Sequence, residues 1–272
     1  MINIGQYIET AINWLTEHFA SFFDALSMGI GGFIDGFQHV LFGIPFYITI
    51  AVLAALAWFK SGKGTAVFTL LGLLLIYGMG FWEETMQTLA LVLSSTCLAL
   101  LLGVPLGIWT ANSDRCNKIM RPVLDFMQTM PAFVYLIPAV LFFGLGTVPG
   151  AFATIIFAMP PVVRLTGLGI RQVPKNVVEA SRSFGATPWQ LLYKVQLPTI
   201  LTGINQTIMM SLSMVVIAAM ISAGGLGEIV LKGITQMKIG LGFEGGIAVV
   251  ILAIVLDRIT QGMADNRKSK KK

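Results

Sequence analysis

VPKNVVEASRSFGATPWQLLYKVQLP, Val173 to Pro198, is a long polar segment set between two long apolar runs. It carries Lys175, Glu179, Arg182 and Lys194, while the runs on either side carry almost no charge. Its local signals predict two short helices joined at a turn. Pro174 suits a first helical position, and Gly185 suits the left-handed residue that closes a helix. Thr187 then reads as the N-cap of a second helix, with Pro188 at its first position and Gln190 completing a capping box. A helix pair capped independently between two membrane spans is built to be held by something outside the membrane.

Composition supports that setting. The 272 residues are 56% hydrophobic and only 11% charged, with a mean hydropathy of +0.81. Such a chain is too apolar for a soluble domain and fits an all-α, polytopic helical membrane protein. The apolar runs are continuous, without the alternation of an outer-membrane barrel. Cys97 lies in an apolar run and Cys116 in a polar loop, so neither a disulfide nor a metal is expected. No Lys or Arg precedes Lys60, so no cleavable signal peptide is expected. The net charge of +5 comes from loops and tail and reports topology, with no nucleic-acid partner.

Residues 1–43 read as amphipathic helices. Ile4, Ile8, Ile12, Leu15, Phe19, Phe22 and Leu26 recur at helical spacing opposite Gln6, Glu9, Asn13, Glu17 and Asp24, and a second helix is expected after Gly29. With Trp14 and the Phe cluster they suit the extracytoplasmic bilayer surface, or else they pack on the membrane domain. His18 and His39 fall on polar borders. Apolar runs follow at about 44–59, 66–82, 86–110, 129–145, 148–164, 199–223 and 243–262. A span needs ~20 apolar residues, so the first two are short, and about seven transmembrane helices are expected in all. The pair at 129–164 is interrupted by Pro131, Pro138, Pro149, Pro160 and Pro161. Proline frees backbone carbonyls that a neighbour or a water-filled path must satisfy. This pair therefore either lines a pathway, with Pro131, Phe133, Tyr135 and Pro138 as candidates, or is simply a kinked packing pair.

Basic residues set the orientation. Lys60, Lys63, Arg115, Lys118, Arg121, Arg164, Arg171, the opening segment and the tail from Arg267 to Lys272 fall on one side of seven spans. Glu83, Glu84, Glu228 and Glu244 fall on the other; only Lys232 and Lys238 dissent. The expected layout is N-terminus outside and C-terminus inside. It divides the chain into interfacial helices (1–43), an accessory transmembrane hairpin (44–83), a core (84–263) that contains the 173–198 segment, and a basic cytoplasmic tail (264–272).

Little chemistry is available. Gly62-Lys63-Gly64-Thr65 lacks the upstream glycine and spacing of a phosphate loop, and Gly240-Leu241-Gly242-Phe243-Glu244-Gly245 matches GxGxxG with no strand before it. No HExxH, His/Cys pair or nucleophile elbow is present. Span interiors hold no Asp, Glu, Lys or Arg, which counts against proton coupling. The chain reads as a transporter rather than an enzyme, with no cofactor of its own.

Glu179-Ala180-Ser181, three residues, Gly185, nine residues, then Val195-Gln196-Leu197-Pro198 resembles the EAA signature of ABC importer permeases, EAA-x3-G-x9-I-x-LP. Ser181 for the second Ala and Val195 for Ile are its departures. QTMPAFVYLIPAVLFFGLG (128–146), ASRSFGATPWQLLYKVQLP (180–198) and MVVIAAMISAGGLGEIVLKGI (214–234) look like the glycine betaine/proline betaine branch of the type I importers. The resemblance covers roughly 84–262. It implies a type I permease core acting as a homodimer, with two cytoplasmic ATPase subunits that carry ATP and Mg, and an extracytoplasmic solute-binding protein. In that family the loop is a coupling helix docked in a groove on the ATPase. The ATPase-coupling residues implied are Glu179, Ala180, Ser181, Arg182, Phe184 and Gly185, framed by Pro174, Thr187, Pro188, Leu197 and Pro198. Small Ala180 and Ser181 would admit a partner surface, Glu179 would make a charge-assisted contact, and Phe184 would be an apolar anchor. The implied solute is a quaternary ammonium osmolyte. Choline, carnitine or an amino acid remains an alternative solute, and an ATP-independent carrier or channel an alternative class. The basic tail either binds anionic membrane lipid or marks topology.

Overall fold

The computed structural model describes residues 4–191 and 197–269, all of whose regular elements are helical. Lys194, Val195 and Gln196 of the signature, and Lys270 to Lys272 of the tail, lie outside the described residues. The helices are α1 (Ile4–His18), α2 (Ala20–Gly43), α3 (Phe46–Ser61), α4 (Lys63–Gly78), α5 (Trp82–Asn112) and α6 (Asp114–Thr129). After a 3-10 turn (Ala132–Tyr135) come α7 (Leu136–Phe143), α8 (Thr147–Arg171), α9 (Lys175–Ser183), α10 (Pro188–Leu191), α11 (Leu197–Ala219), α12 (Leu226–Thr235) and α13 (Ile239–Ser269).

Every apolar run falls on helix, but the seven expected spans are unequal in kind. Among the described residues, Trp82–Asn112, Thr147–Arg171 and Ile239–Met263 are each long and apolar enough to cross a membrane. α2 with α3, and α6 with the 3-10 turn and α7, reach that only together, across bends of 102° and 109°. Lys63–Gly78 and Gly203–Ala219 are apolar but shorter.

Three boundaries differ from expectation. The N-terminal break is at Phe19, between α1 and α2, and Gly29 sits inside α2. Packing decides this: Ile30 and Ile34 are buried against Leu91, Ala151 and Ala218, and that contact outweighs the roughly 1 kcal/mol that a helical glycine costs. The basic stretch at 113–129 is a helix rather than a loop, opened by Ser113, whose Oγ accepts from the Cys116 amide at 3.3 Å. Of the five prolines at 129–164, only Pro131 marks a break. Pro138 and Pro149 stand in the first turns of α7 and α8, where an amide has no intrahelical acceptor to lose. Pro160 and Pro161 lie inside a continuous α8.

The core is organised on α5 and α8. Arg171 at the end of α8 bonds the Thr110 carbonyl near the end of α5, so the two helices run parallel and finish on one side. Gly103 and Gly107, a GxxxG pair on α5, let them approach. A Cβ on Gly103 would lie 2.9 Å from Val162, and one on Gly107 would lie 2.5 Å from Thr166 and 2.9 Å from the Val163 carbonyl. α11 packs on the other flank of α8, and Leu73, Met86, Val92, Val215, Leu226, Leu252 and Val255 form an apolar centre joining α4, α5, α11, α12 and α13. α12 was not legible as an element. Its first amides are held by α5, Gly225 to Gln87 Oε1 at 3.0 Å and Leu226 to Thr88 Oγ1 at 2.8 Å. The GxGxxG glycines lie in α13, where a Cβ on facing Gly233 would be 2.2 Å from Gly242 Cα, so Gly242 serves helix contact.

Candidate coupling surface and pathway

α9 begins after Pro174, which is its N-cap rather than its first helical residue, and whose carbonyl accepts from Val177 and Val178. Its end is closed by backbone alone. The Gly185 amide bonds the Arg182 carbonyl at 2.9 Å and the Ala186 amide bonds the Ser181 carbonyl at 3.0 Å, a Schellman pair. That closure requires the left-handed φ of +79° at Gly185. Two residues on, the Thr187 amide donates to Gln190 Oε1 at 2.9 Å and the Gln190 amide to Thr187 Oγ1 at 3.3 Å. This reciprocal capping box starts α10, with Pro188 as its first residue. Leu191 is buried at its end. Leu197 and Pro198 open α11.

The exposed side of this unit has few internal partners. Phe184, at the tip, is 92% exposed, far more than an aromatic ring with an intramolecular role. Glu179 and Arg182 are both exposed, and no ion pair joins them, so a closed local pair is not what they form. Ser181 Oγ donates to the Val177 carbonyl at 2.7 Å and Ser183 Oγ to the Glu179 carbonyl at 3.0 Å. The Ser181 hydroxyl is thus satisfied by its own helix and can face an apolar surface much as alanine would. Among the described residues no other helix packs extensively on α9 or α10. The surface combines a carboxylate, a guanidinium, small residues and a projecting ring, which suits docking into a groove with an acidic and a basic contact.

The second candidate group lies at the bend between α6 and α7. Pro131 precedes the 3-10 turn and is exposed, Phe133 is 52% exposed, and Pro138 is half-buried. Tyr135 is enclosed among Leu136, Ala139, Ala153 and Met214, meets Phe157 edge-on at 5.9 Å, and its hydroxyl donates to the Met127 carbonyl. Phe142 and Phe143 are engaged with α2: Phe23 stacks on Phe142 at 4.4 Å and meets Phe143 edge-on at 5.9 Å. The 3-10 turn and α7 together hold 12 residues, on the order of 20 Å of helix against a hydrocarbon layer of about 30 Å. On its own the segment is too short to cross that layer. The structure therefore keeps the pathway candidates together on one short segment and sets the coupling residues on another, exposed one. No group of three His, Cys, Asp or Glu able to hold a metal occurs among the described residues.

Sequence reasoning passed over three polar links. Thr96 Oγ1 donates to Ser211 Oγ at 3.2 Å between α5 and α11. Asp257 on α13 accepts from Asn205 at 3.1 Å and Gln261 at 2.7 Å, and Thr260 donates to Asn205 Oδ1 at 2.5 Å. The Gln87 and Thr88 caps on α12 are the third. Only Asp257 carried a signal, as a carboxylate at the end of an apolar run.

Residues 103–268 match the family described as "binding-protein-dependent transport system inner membrane component". The chain is 50% identical over 273 residues to the glycine betaine transport system permease protein OpuAB of Bacillus subtilis, covering 99% of this chain and 97% of that one. It is 52% identical over 277 residues to the glycine betaine/carnitine transport permease protein GbuB of Listeria monocytogenes, covering 99% and 97%. It is 50% identical over 274 residues to the glycine betaine/proline betaine permease ProW of Escherichia coli, covering 99% and 77%. Among solved structures, inward-facing forms of the MetNI methionine ABC transporter share the fold, with a TM-score of 0.61 over 68% of this chain and 95% of that one at 19% identity. A family match that runs from the last third of α5 through α8 and α11, and near full-length relatives at half identity, leave one assignment: the chain belongs to the binding-protein-dependent transport system inner membrane components, the membrane permeases of ABC importers.

Proposed function

We propose that this chain is the permease of an importer for glycine betaine, proline betaine or a closely similar quaternary ammonium osmolyte, and that Val173–Pro198 couples it to a separate ATPase. The observation that carries the reading is the self-capped α9–α10 unit with Phe184 92% exposed at its tip. The names of the three relatives support the solute class. Two copies of the chain pair in a prokaryotic cell membrane, with two ATPase subunits inside and a binding protein outside. The N-terminus is outside and the C-terminus inside, as the distribution of Lys and Arg favours.

In this reading Phe184 seats in the ATPase groove while Glu179 and Arg182 make charge-assisted contacts. The segment leaves α8 just after Arg171 and enters α11 at Leu197, and these two helices pack along each other. When ATP draws the ATPases together, the segment carries both helices with it and the cavity opens outward. The short segment at Pro131–Phe143 is where the solute passes, with exposed Phe133 offering a ring face to a cationic solute. The aromatic cage that recognises the cation belongs to the binding protein. Residues 1–43 lie at the outer surface, 44–83 form an accessory hairpin, and the tail from 264 marks the inner side.

The test is ATP-dependent uptake of radiolabelled glycine betaine into proteoliposomes holding the chain, its ATPase and its binding protein. Uptake that requires all three, and is lost in Gly185→Asp while the permease still folds, supports the coupling surface. Uptake without the ATPase rejects it. ATPase stimulation without betaine uptake keeps the class and rejects the solute.

A further inference from the structure

A cavity of about 430 Å³ lies between α6 and the ends of α5 and α8. Three guanidiniums line it, Arg121, Arg164 and Arg171. Asp125 pairs with Arg164, and Asp114 Oδ1 lies 2.8 Å from Arg171, which also bonds the Thr110 carbonyl at 2.8 Å. Arg121 has no carboxylate partner among the described residues, so one positive charge facing the cavity is left uncompensated. Gly167 keeps the floor open, since a Cβ there would stand 3.0 Å from Thr110 Oγ1.

The opposite side of α6 provides a separate observation. Ile119, Val123 and Phe126, spaced four and three residues apart, form one helical stripe and are 69%, 45% and 65% exposed. Exposed Arg115 and Lys118 belong to the same helix. A helix with an exposed apolar stripe, basic residues beside it and a sharp bend into the next apolar segment has the pattern of one lying in a bilayer interface. The cavity behind it then opens at headgroup depth.

We propose that this cavity binds the headgroup phosphate of an anionic phospholipid, with Arg121 as the decisive contact and α6 resting its stripe on the acyl boundary. A phosphodiester brings the single negative charge that Arg121 lacks. The guanidinium donors of Arg164 and Arg171 not used by Asp125 and Asp114 add hydrogen bonds from two further sides. The apolar stripe favours a lipid over a soluble phosphate, because a stripe resting on the acyl boundary holds the cavity at headgroup depth. The orientation proposed above serves only to assign the site to the cytoplasmic leaflet. Because Arg171 closes α8 immediately before the coupling segment, an occupied cavity would steady the root of that segment.

The experiment uses the purified full chain in neutral detergent, without ATPase or binding protein, so its failure would leave the coupling reading untouched. Thermal unfolding is followed while short-chain phosphatidylglycerol, phosphatidylcholine of the same chain length, or inorganic phosphate is titrated in. Phosphatidylglycerol is expected to raise the midpoint saturably where the other two do not. Arg121→Gln is expected to weaken its apparent affinity about fivefold, the equivalent of one basic contact at a membrane surface. Lys63→Gln, which removes one charge from the first residue of α4, is expected to leave the affinity in place. Equal response to both lipids, or equal loss in the two variants, overturns the site, and phosphate alone matching phosphatidylglycerol overturns the lipid. A Phe126→Trp variant is expected to be quenched by acyl-brominated lipid; an unquenched tryptophan overturns the interfacial placement of the stripe.

Discussion

The coupling segment and the α5–α8 contact solve the same problem, fixing helices in place, by opposite means. In α9–α10 every structural device is local: a Schellman closure at Gly185 and a capping box from Thr187 to Gln190, all within a dozen residues. Among the described residues no other helix packs extensively on it, and apart from the buried Leu191 most of its described side chains are exposed. Between α5 and α8 nothing is local. Gly103 and Gly107 have meaning only because Val162, Val163 and Thr166 stand against them from 56 to 59 positions further along the chain. The first region keeps its shape and offers a surface; the second offers no surface and keeps the shape of everything else. Substitutions should separate the two, with stability lost in one and coupling lost in the other.

The largest effect is expected at Gly107. Gly107→Leu drives a side chain into Thr166 and the Val163 carbonyl, and backbone cannot yield as a flexible side chain can. A loss of about 3 kcal/mol or more follows, at the upper end of overpacking costs. Thermal unfolding in detergent, read by size-exclusion fluorescence, should show a much lower midpoint or no folded peak. A variant of wild-type stability would mean that α5 and α8 do not approach this closely, and the contrast between the regions would fail.

Next comes Phe184→Asp, which tests the other side. The ring touches little of its own chain, so the unfolding midpoint should move by no more than about 0.5 kcal/mol, as for a surface change. Binding to the ATPase should weaken by about 2 kcal/mol or more, roughly thirtyfold, if the ring is the central anchor of the interface. Pull-down against the ATPase and transport in proteoliposomes both read this. Unchanged binding would remove Phe184 from the coupling surface and leave Glu179 and Arg182 to carry it.

These two expectations show what the sequence could disclose. Caps are written in neighbouring residues, so Gly185, Thr187 and Gln190 were legible with their roles, and even Pro174 was misplaced by only one position. Helices were legible wherever apolar residues ran on. Breaks decided by distant packing were not: the N-terminal break fell at Phe19 because Ile30 and Ile34 are buried, although Gly29 was the stronger local signal. The charges of α6 predict a loop, yet its apolar positions 119, 123 and 126 carry the helical spacing that the structure shows. α12 was hidden because its start is capped by α5 rather than by its own residues, and a cap 138 positions away leaves no mark in the local sequence.

Thr88→Val tests that long-range cap with an isosteric loss of the hydroxyl. The Leu226 amide loses its acceptor in a buried place, at a cost of about 1–2 kcal/mol. The effect should appear as faster amide exchange in α12 together with a lower midpoint, because α12 packs against α13. Gly225, held separately by Gln87 at 3.0 Å, should keep part of the cap, so Gln87→Leu combined with Thr88→Val should cost more than either alone.

The smallest effect sharpens the contrast most. Thr187→Ala removes one half of the capping box, the Oγ1 that accepts from Gln190, and leaves the Thr187 amide still bonded by Gln190 Oε1 only as long as α10 stays formed. A cap of this kind is worth about 1 kcal/mol to its own helix. In an ordinary core helix that loss would spread through the packing and lower the midpoint of the whole protein. Here it should stay local, because among the described residues no other helix packs extensively on α9 or α10. The global midpoint should not move, while amide exchange at Gln190 and Leu191 rises about fivefold, the equivalent of that 1 kcal/mol. Docked ATPase should suppress the difference, since a bound surface holds the helix that the cap no longer does. A lowered global midpoint would mean that the segment is tied into the core more tightly than its exposed surface indicates, and motion would then pass from ATPase to spans through a stiff connection rather than a hinged one.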